Sequence, residues 1–459
     1  MFSKVLIANR GEIAVRIMRT CADMGIGTVA VYSQPDTDAL HVRIANESFP
    51  LTAADPSRAY LDMKQILDIA ERSGAEAIHP GYGFLAEDPE FVKMCSERGV
   101  VFIGPPGWCM YKAKPRDKAR QLIKMINLPL IPGSDELIEP GDPGSLDHAL
   151  EVAQGVGYPV IVKPVNRMGT IGIAVAKNAD QLRAAAARFP SGGSNTELSG
   201  YYIEKYIPRT KHIEFQVLAD SKGNAVYLGE RDCSIQRRFQ NMMEEAPCPV
   251  LNSLQRMKMG IAAIDVSRAI RCVNALAVEF LYSLDTKEFF FNEVNYRLQV
   301  EHCINELTSG IDVVREQIRI AAGEELTFSQ DDIRIRNHAV ECRVNAEDPF
   351  KSFLPSPGKI TKLRLPHGFA VRVDEGVYEG CDVPPYYDSL LFKISAVGRT
   401  RDEAMERMAR ALAETSVEGI KTNLPFQQAI ISDEQFRKGT YTTNFVDERK
   451  ILHKLHLGG

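Results

Sequence analysis

A chain of 459 residues is longer than one hydrophobic core usually serves, so two or three subdomains are expected. Its apolar fraction of 44% and charged fraction of 25% are ordinary for a globular protein, and no run approaches the roughly 20 apolar residues of a membrane span. A net charge of −5 offers no basic field for nucleic acid, and nine scattered cysteines, without a C-x-x-C pair or Cys/His cluster, argue against disulfides and structural zinc.

The start, Met1 to Ala8, carries neither a long apolar signal region nor an Arg-rich transit segment, which predicts a mature start here and a cytoplasmic location. Lys4 to Ala8 is a short apolar run, residues 12–24 repeat apolar side chains at helical spacing, and Gly27 to Tyr32 is rich in β-branched residues. That pattern predicts a βαβ unit. Runs at Glu76 to Ile78 and Val100 to Gly104 extend it into an open parallel, Rossmann-like sheet over roughly the first 110 residues. The first turn, Asn9-Arg10-Gly11-Glu12, lacks the G-x-G-x-x-G of dinucleotide binding.

Pro132-Gly133-Ser134 and Pro140 to Gly144 punctuate the chain before the strand Tyr158 to Lys163. A small mobile subdomain from about 130 to 205 is expected. A larger antiparallel portion follows to about residue 330, and short strands and turns lead to an amphipathic helix at Arg401 to Glu414. The fold class is thus α/β at the start and α+β beyond it.

Chemistry concentrates in Glu293-Val294-Asn295-Tyr296-Arg297-Leu298-Gln299-Val300-Glu301-His302. Every odd position is polar, so an extended backbone would put five functional groups on one face. Upstream, Ala277 to Tyr282 and Glu288 to Glu293 read as a hairpin, which brings Glu279 near Glu293. Two such carboxylates repel unless a cation lies between them, and hard oxygen donors with an Asn carbonyl suit Mg²⁺. Lys118, and Lys163 at the end of an apolar strand, are placed to meet anions on the other side of a nucleotide.

The chain carrying these residues resembles biotin carboxylase, the ATP-grasp subunit or domain of biotin-dependent carboxylases such as acetyl-CoA, propionyl-CoA or pyruvate carboxylase. The resemblance runs nearly end to end: Ala8 to Ile13, His79 to Leu85, Glu230 to Arg238, Arg297 to His302, Glu341 to Pro349 and Val383 to Ser389. It implies an N-terminal Rossmann-like (pre-ATP-grasp) domain at 1–112, an ATP-grasp domain at 113–330 with its lid at about 130–205, and a β-rich biotin-carboxylase C-terminal domain at 331–449.

The resemblance also implies roles. Lys118, Lys163, Glu204, Lys205, Ile207, His212, Gln236 and Glu279 match ATP-binding positions. Glu279, Glu293 and Asn295 match those that hold two Mg²⁺ or Mn²⁺ ions. Arg297, Gln299 and Val300 match positions around bicarbonate, and Glu301 matches the base that takes its proton. Arg343 matches the residue that steadies negative charge on the biotin ureido group, with Tyr82 and Gly83 lining that pocket; Glu301, Arg297 and Arg343 are the catalytic set. The implied partners are a biotin carboxyl carrier protein, a carboxyltransferase component, and a second copy of the chain in a homodimer.

Two stretches depart from the family pattern. Where relatives carry a glycine run after the strand Lys, this chain reads Pro164 to Gly172 with only two glycines, and where they continue His-Gln-Lys it reads Phe239-Gln240-Asn241. These leave open a divergent ATP-grasp ligase with another acceptor, or a scaffolding protein of reduced activity. Met257-Lys258-Met259 copies the tripeptide around a biotinylated lysine, but in a helix-like segment instead of a hairpin tip.

Overall fold

The computed structural model describes residues 1–453 apart from 114, 115, 141, 165–172, 190–199 and 239. The substituted lid-loop positions from Val165 to Gly172, and Phe239, lie outside the described residues. The chain opens with β1 (Lys4–Ile7), α1 (Gly11–Asp23) and β2 (Gly27–Tyr32), followed by β3 (Glu47–Pro50), β4 (Ala77–His79) and β5 (Val101–Phe102). The five strands run parallel in the order β3-β2-β1-β4-β5. Helices cover both faces of such a sheet, so its strands are apolar throughout. Val5 and Ile7 pack with Ile13 and Ile17 of α1, whereas Leu6 and Ala8 pack on the other side with Ile66 and Leu67. This is the Rossmann-like sheet that the periodicity predicts.

A separate small sheet joins β6 (Val160–Pro164), β7 (Ala174–Ala176) and β8 (Tyr201–Lys205), with β6 in the middle and antiparallel to both. It has its own core, in which Val160, Val162 and Ile203 meet Ala149, Ala153 and Leu182 from two helices.

The largest element is an eight-stranded antiparallel sheet. Its strands are β9 (Thr210–Ala219), β10 (Ala225–Arg237), β11 (Gln240–Ala246), β12 (Asn274–Ser283), β13 (Phe289–Asn295), β14 (His338–Asn345), β15 (Val371–Glu375) and β16 (Leu390–Gly398). They lie in the order β13-β12-β9-β10-β11-β14-β16-β15. The boundary expected near residue 330 therefore runs through one continuous sheet, because β14 pairs with β11. β12 and β13 form the hairpin read from the sequence, with Glu279 paired to Glu293.

Alternation along these strands gives the sheet two unlike faces. Met243, Cys342, Val344, Phe392 and Ile394 point to an apolar core shared with Met405, Met408 and Leu412. Glu244, Glu341, Arg343, Lys393 and Asp374 point the opposite way, all buried or nearly so. The helices α2 (Ser253–Ile270), α3 (His302–Ser309) and α4 (Arg401–Glu414) pack on this sheet; α4 supplies the apolar side and α3 covers the charged one. The Arg401 to Glu414 helix has the bounds its amphipathic pattern predicts. Met257-Lys258-Met259 sits inside α2, which a capping box between Asn252 and Gln255 starts.

Candidate active site

Cross-strand pairing builds the centre of the site. Glu293 on β13 faces Glu279 on β12, which faces Glu214 on β9, which faces Arg231 on β10. Directly opposed residues on neighbouring strands point the same way, so three carboxylates and a guanidinium form one row. Glu214, Glu279 and Arg231 are buried, and Glu293 is exposed at the open end.

Three acids so close, two of them buried, need positive partners. Glu279 Oε2 lies 2.8 Å from His212 Nε2 and accepts from Asn292 Nδ2 at 3.1 Å, while Asn295 Nδ2 donates to its Oε1. Burial works against charge on His212, but the attraction of Glu279 outweighs it and pushes the imidazole up to about 9. Gln236 Nε2 lies 2.7 Å from the other ring nitrogen and donates to Asn241 Oδ1 at 3.1 Å. The chain Glu279, His212, Gln236, Asn241 thus runs from the acids to β11.

Arg231, wholly buried, donates to Glu214 at 3.1 Å, to Asn305 at 2.6 Å, to Gln216 at 3.2 Å and to Gln299. Even so, burial, together with repulsion from Glu301 and Glu279, drives the Glu214 carboxyl well above the usual carboxylate range.

The odd-numbered series does not form one long strand. β13 ends at Asn295, and the chain turns through Arg297, Gln299 and Val300 before α3 begins, with Glu301 at its N-cap. The groups converge all the same. Arg297 Nη2 donates to Asn295 Oδ1 at 3.3 Å and its Nε to Glu87 Oε2 at 3.2 Å; Gln299 meets Arg231; Glu301 Oε2 accepts from Arg343 Nη2 at 2.9 Å. The reason is tertiary: Glu87, from a loop after β4, also accepts the Tyr296 N–H at 2.8 Å and pulls the backbone out of the ladder. Burial opposes the charge of Glu301, but Arg343 and Arg231 outweigh it and hold its carboxyl well below the usual range. Glu301 therefore rests in its unprotonated form, the state from which a proton acceptor has to start.

The nucleotide-side residues are placed more loosely. Lys163 Nζ, expected to meet an anion, lies 2.7 Å from Glu204 Oε2, and Arg120 lies 3.4 Å from the other oxygen of that carboxylate. Lys205 Nζ donates to the carbonyls of Gly157 and Tyr158 at 2.8 and 3.0 Å. Ile207 is half-buried just beyond β8, and Lys118 is exposed on the helix Arg116–Met125. Among the described residues, Lys118 and Lys205 make no contact with the carboxylate row.

Toward the N-terminal sheet, Tyr82 Oη donates to Glu12. Gly83 beside it is exposed with φ +70°, and a Cβ built there meets nothing within 4 Å, which leaves that side of the pocket open. The sequence reading missed Glu214, Arg231, Glu87, Glu244, Lys393 and Glu12. For Lys393 the signal was available: a charge inside the apolar strand Leu390 to Ile394, the same cue that marks Glu279.

Known families and proteins match the chain over nearly its whole length. The biotin carboxylase N-terminal domain matches residues 1–110, the carbamoyl-phosphate synthase L chain ATP binding domain residues 115–329, and the biotin carboxylase C-terminal domain residues 341–448. A pyruvate carboxylase subunit of Methanothermobacter thermautotrophicus is 48% identical over 449 residues, 98% of this chain and 90% of its own length. Biotin carboxylase 1 of Bacillus subtilis is 44% identical over 460 residues, covering 98% and 100%. The biotin carboxylase domain of Hydrogenobacter thermophilus 2-oxoglutarate carboxylase, solved with MgADP, ADP and bicarbonate, superposes with a TM-score of 0.92 at 39% identity, covering 98% of each chain. Campylobacter jejuni biotin carboxylase in complex with a β,γ-ATP ligand gives 0.91 at 39%, covering 98% and 99%. On fold, site geometry and sequence together, the chain belongs to the biotin carboxylase family.

Proposed function

We propose that this protein is the biotin carboxylase component of an acyl-CoA or pyruvate carboxylase, using ATP and bicarbonate to carboxylate biotin through carboxyphosphate. The observation that carries this is the meeting of Glu301, ionised and buried, with Arg343 at 2.9 Å beside the Glu293-Glu279-Glu214 row.

The donor set fits a hard divalent cation. Glu279 and Glu293 share a rung, Asn295 adds an amide oxygen, and His212 and Arg231 only partly offset the acids, as the displaced carboxyl of Glu214 attests. Glu279, Glu293 and Asn295 would hold two Mg²⁺ or Mn²⁺ ions, which supply charge neutralisation on the transferred phosphoryl group.

The chain's own groups do the remainder. Lys118, Lys163, His212 and Gln236 bind the nucleotide, with Glu204, Lys205 and Ile207 on its adenine side. Arg297, Gln299 and Val300 hold bicarbonate, and Glu301 takes its proton as the bicarbonate oxygen attacks the γ-phosphorus and ADP leaves. Carboxyphosphate then separates into CO₂ and phosphate. The phosphate removes the ureido proton of biotin, Arg343 steadies the resulting anion, and that anion attacks CO₂ in a pocket walled by Tyr82 and Gly83 from which water is excluded. The acceptor biotin arrives on a carrier protein, a carboxyltransferase component consumes the product, and the protein works as a homodimer in the cytoplasm.

The test is ADP release with ATP, Mg²⁺, bicarbonate and free biotin. A biotin-dependent rate that Glu301→Gln abolishes is expected; no biotin-dependent rate above that variant would refute the reading.

A further inference from the structure

Lys393 on β16 is wholly buried, and it is the direct cross-strand partner of Arg343 on β14 and of Asp374 on β15. An ammonium group has three donors and no acceptor, so deep burial requires a partner for each. Its Nζ donates to the Val300 carbonyl at 2.6 Å and to Cys303 Sγ at 3.3 Å, and lies 3.4 Å from Glu12 Oε1. Glu12, 3% exposed in the first turn of α1, accepts the Tyr82 hydroxyl on that same Oε1, and among the described residues its Oε2 has no hydrogen-bond partner. An unbroken chain therefore runs from Val300 through Lys393 and Glu12 to Tyr82. One end is the residue before Glu301; the other is a wall of the acceptor pocket.

Stability alone does not account for this arrangement. Well-packed apolar residues of the same volume often match or outdo a buried ion pair. An apolar side chain at 393 would take the donor from the Val300 carbonyl and the cation from Glu12, loosening the turn that carries Glu301 and the group to which Tyr82 is anchored. The two walls come from opposite ends of the sequence, and Lys393 is the group that touches the supports of both.

We propose that Lys393 and Glu12 are positioning residues that set the spacing between the acceptor pocket and the Glu301 turn, an inference that rests on the biotin carboxylase reading above. They act through Tyr82 on the acceptor side and through Val300 on the bicarbonate side, so what they govern is the match between the two, which decides how much of the CO₂ released is captured by biotin. Cleavage of ATP with bicarbonate precedes that capture.

The test uses the full chain with free biotin and follows ADP and carboxybiotin separately. In Lys393→Met, the carboxybiotin formed per ADP is expected to fall, and KM for biotin to rise, on the order of 10- to 100-fold, the cost of a misplaced reacting group. KM for ATP stays unchanged. Glu12→Gln, which keeps the shape and removes the ion pair, gives the same split more weakly, and the double variant is no worse than Lys393→Met alone because the two residues share one network. Should Lys393→Met fail to fold, Glu12→Gln carries the test through the same ratio. An unaltered carboxybiotin-to-ADP ratio in a folded variant, or equal rises in KM for ATP and biotin, overturns the proposal. The unsubstituted protein is run in parallel: absence of biotin-dependent turnover there overturns the functional reading and this one with it, whereas turnover there with unaffected variants overturns the positioning role alone.

Discussion

Glu279 on β12 lies directly across from Glu293 on β13, so two carboxylates share one rung of an antiparallel ladder. Opposed like charges destabilise a strand pair, and a cation between them reverses the sign. Glu279→Gln is expected to raise the Mg²⁺ concentration needed for half-maximal ATP cleavage by roughly 10- to 100-fold. A Mg²⁺ titration of initial rates measures it, and an unchanged midpoint would count against the rung as a metal site.

Glu301 is a buried carboxylate that Arg343 and Arg231 hold below the usual range, whereas burial and repulsion push its acidic neighbour Glu214 above it. Glu301→Gln should lower bicarbonate-dependent ATP cleavage by about 10²- to 10⁴-fold. Calorimetric ATP affinity should be unaltered, which separates loss of the base from loss of the site.

Asn241 is a neutral amide that accepts a hydrogen bond from Gln236. Gln236 Nε2 also donates to the Cys233 carbonyl at 2.9 Å, so it keeps a partner when Asn241 is replaced. Asn241→Lys is expected to increase kcat, by up to about 100-fold if the added charge stabilises the transferred phosphoryl group as a single key donor does. Steady-state kinetics at saturating bicarbonate reads the change, and a slower variant would show that this site has adapted to a neutral amide.

Glu306 couples pH to stability. It meets Arg16 at 2.8 Å and Arg372 at 2.7 Å; burial opposes its charge, but Arg16, His302 and Arg372 prevail and bring its carboxyl down to about 2. An unfolded Glu titrates near ~4.3, so the unfolded chain takes up the proton first as pH falls. The stability contributed by Glu306 is therefore present above about pH 5 and lost between there and about pH 2, an amount of about 3 kcal/mol at most. Urea unfolding near about pH 7 and about pH 3 should show the gap between the protein and Glu306→Gln narrowing at the lower pH.

Much of this was legible along the chain because its cause is local. Period-two and period-3.6 patterns locate the first βαβ unit, the β12–β13 hairpin and the Arg401 to Glu414 helix, since each element buries one face against a core. A lone carboxylate in an apolar strand marked Glu279, because burying such a group is costly unless it has a purpose. The alternation that grouped Glu293 with Glu301 picked out residues that the structure brings together, but not as one strand: only Glu293 and Asn295 lie on a strand, and the Tyr296 N–H that follows donates to Glu87, some two hundred residues earlier.

By itself, then, the sequence determined which segments become strands and helices and which of them carry acids and bases. Which charge meets which was decided only by the tertiary structure. Lys163 finds Glu204, Arg231 finds Glu214, and Lys393 finds Glu12 across distances that no local periodicity spans. The physical reason is that a buried charge is held by its partner in space, and strand pairing and helix packing choose that partner.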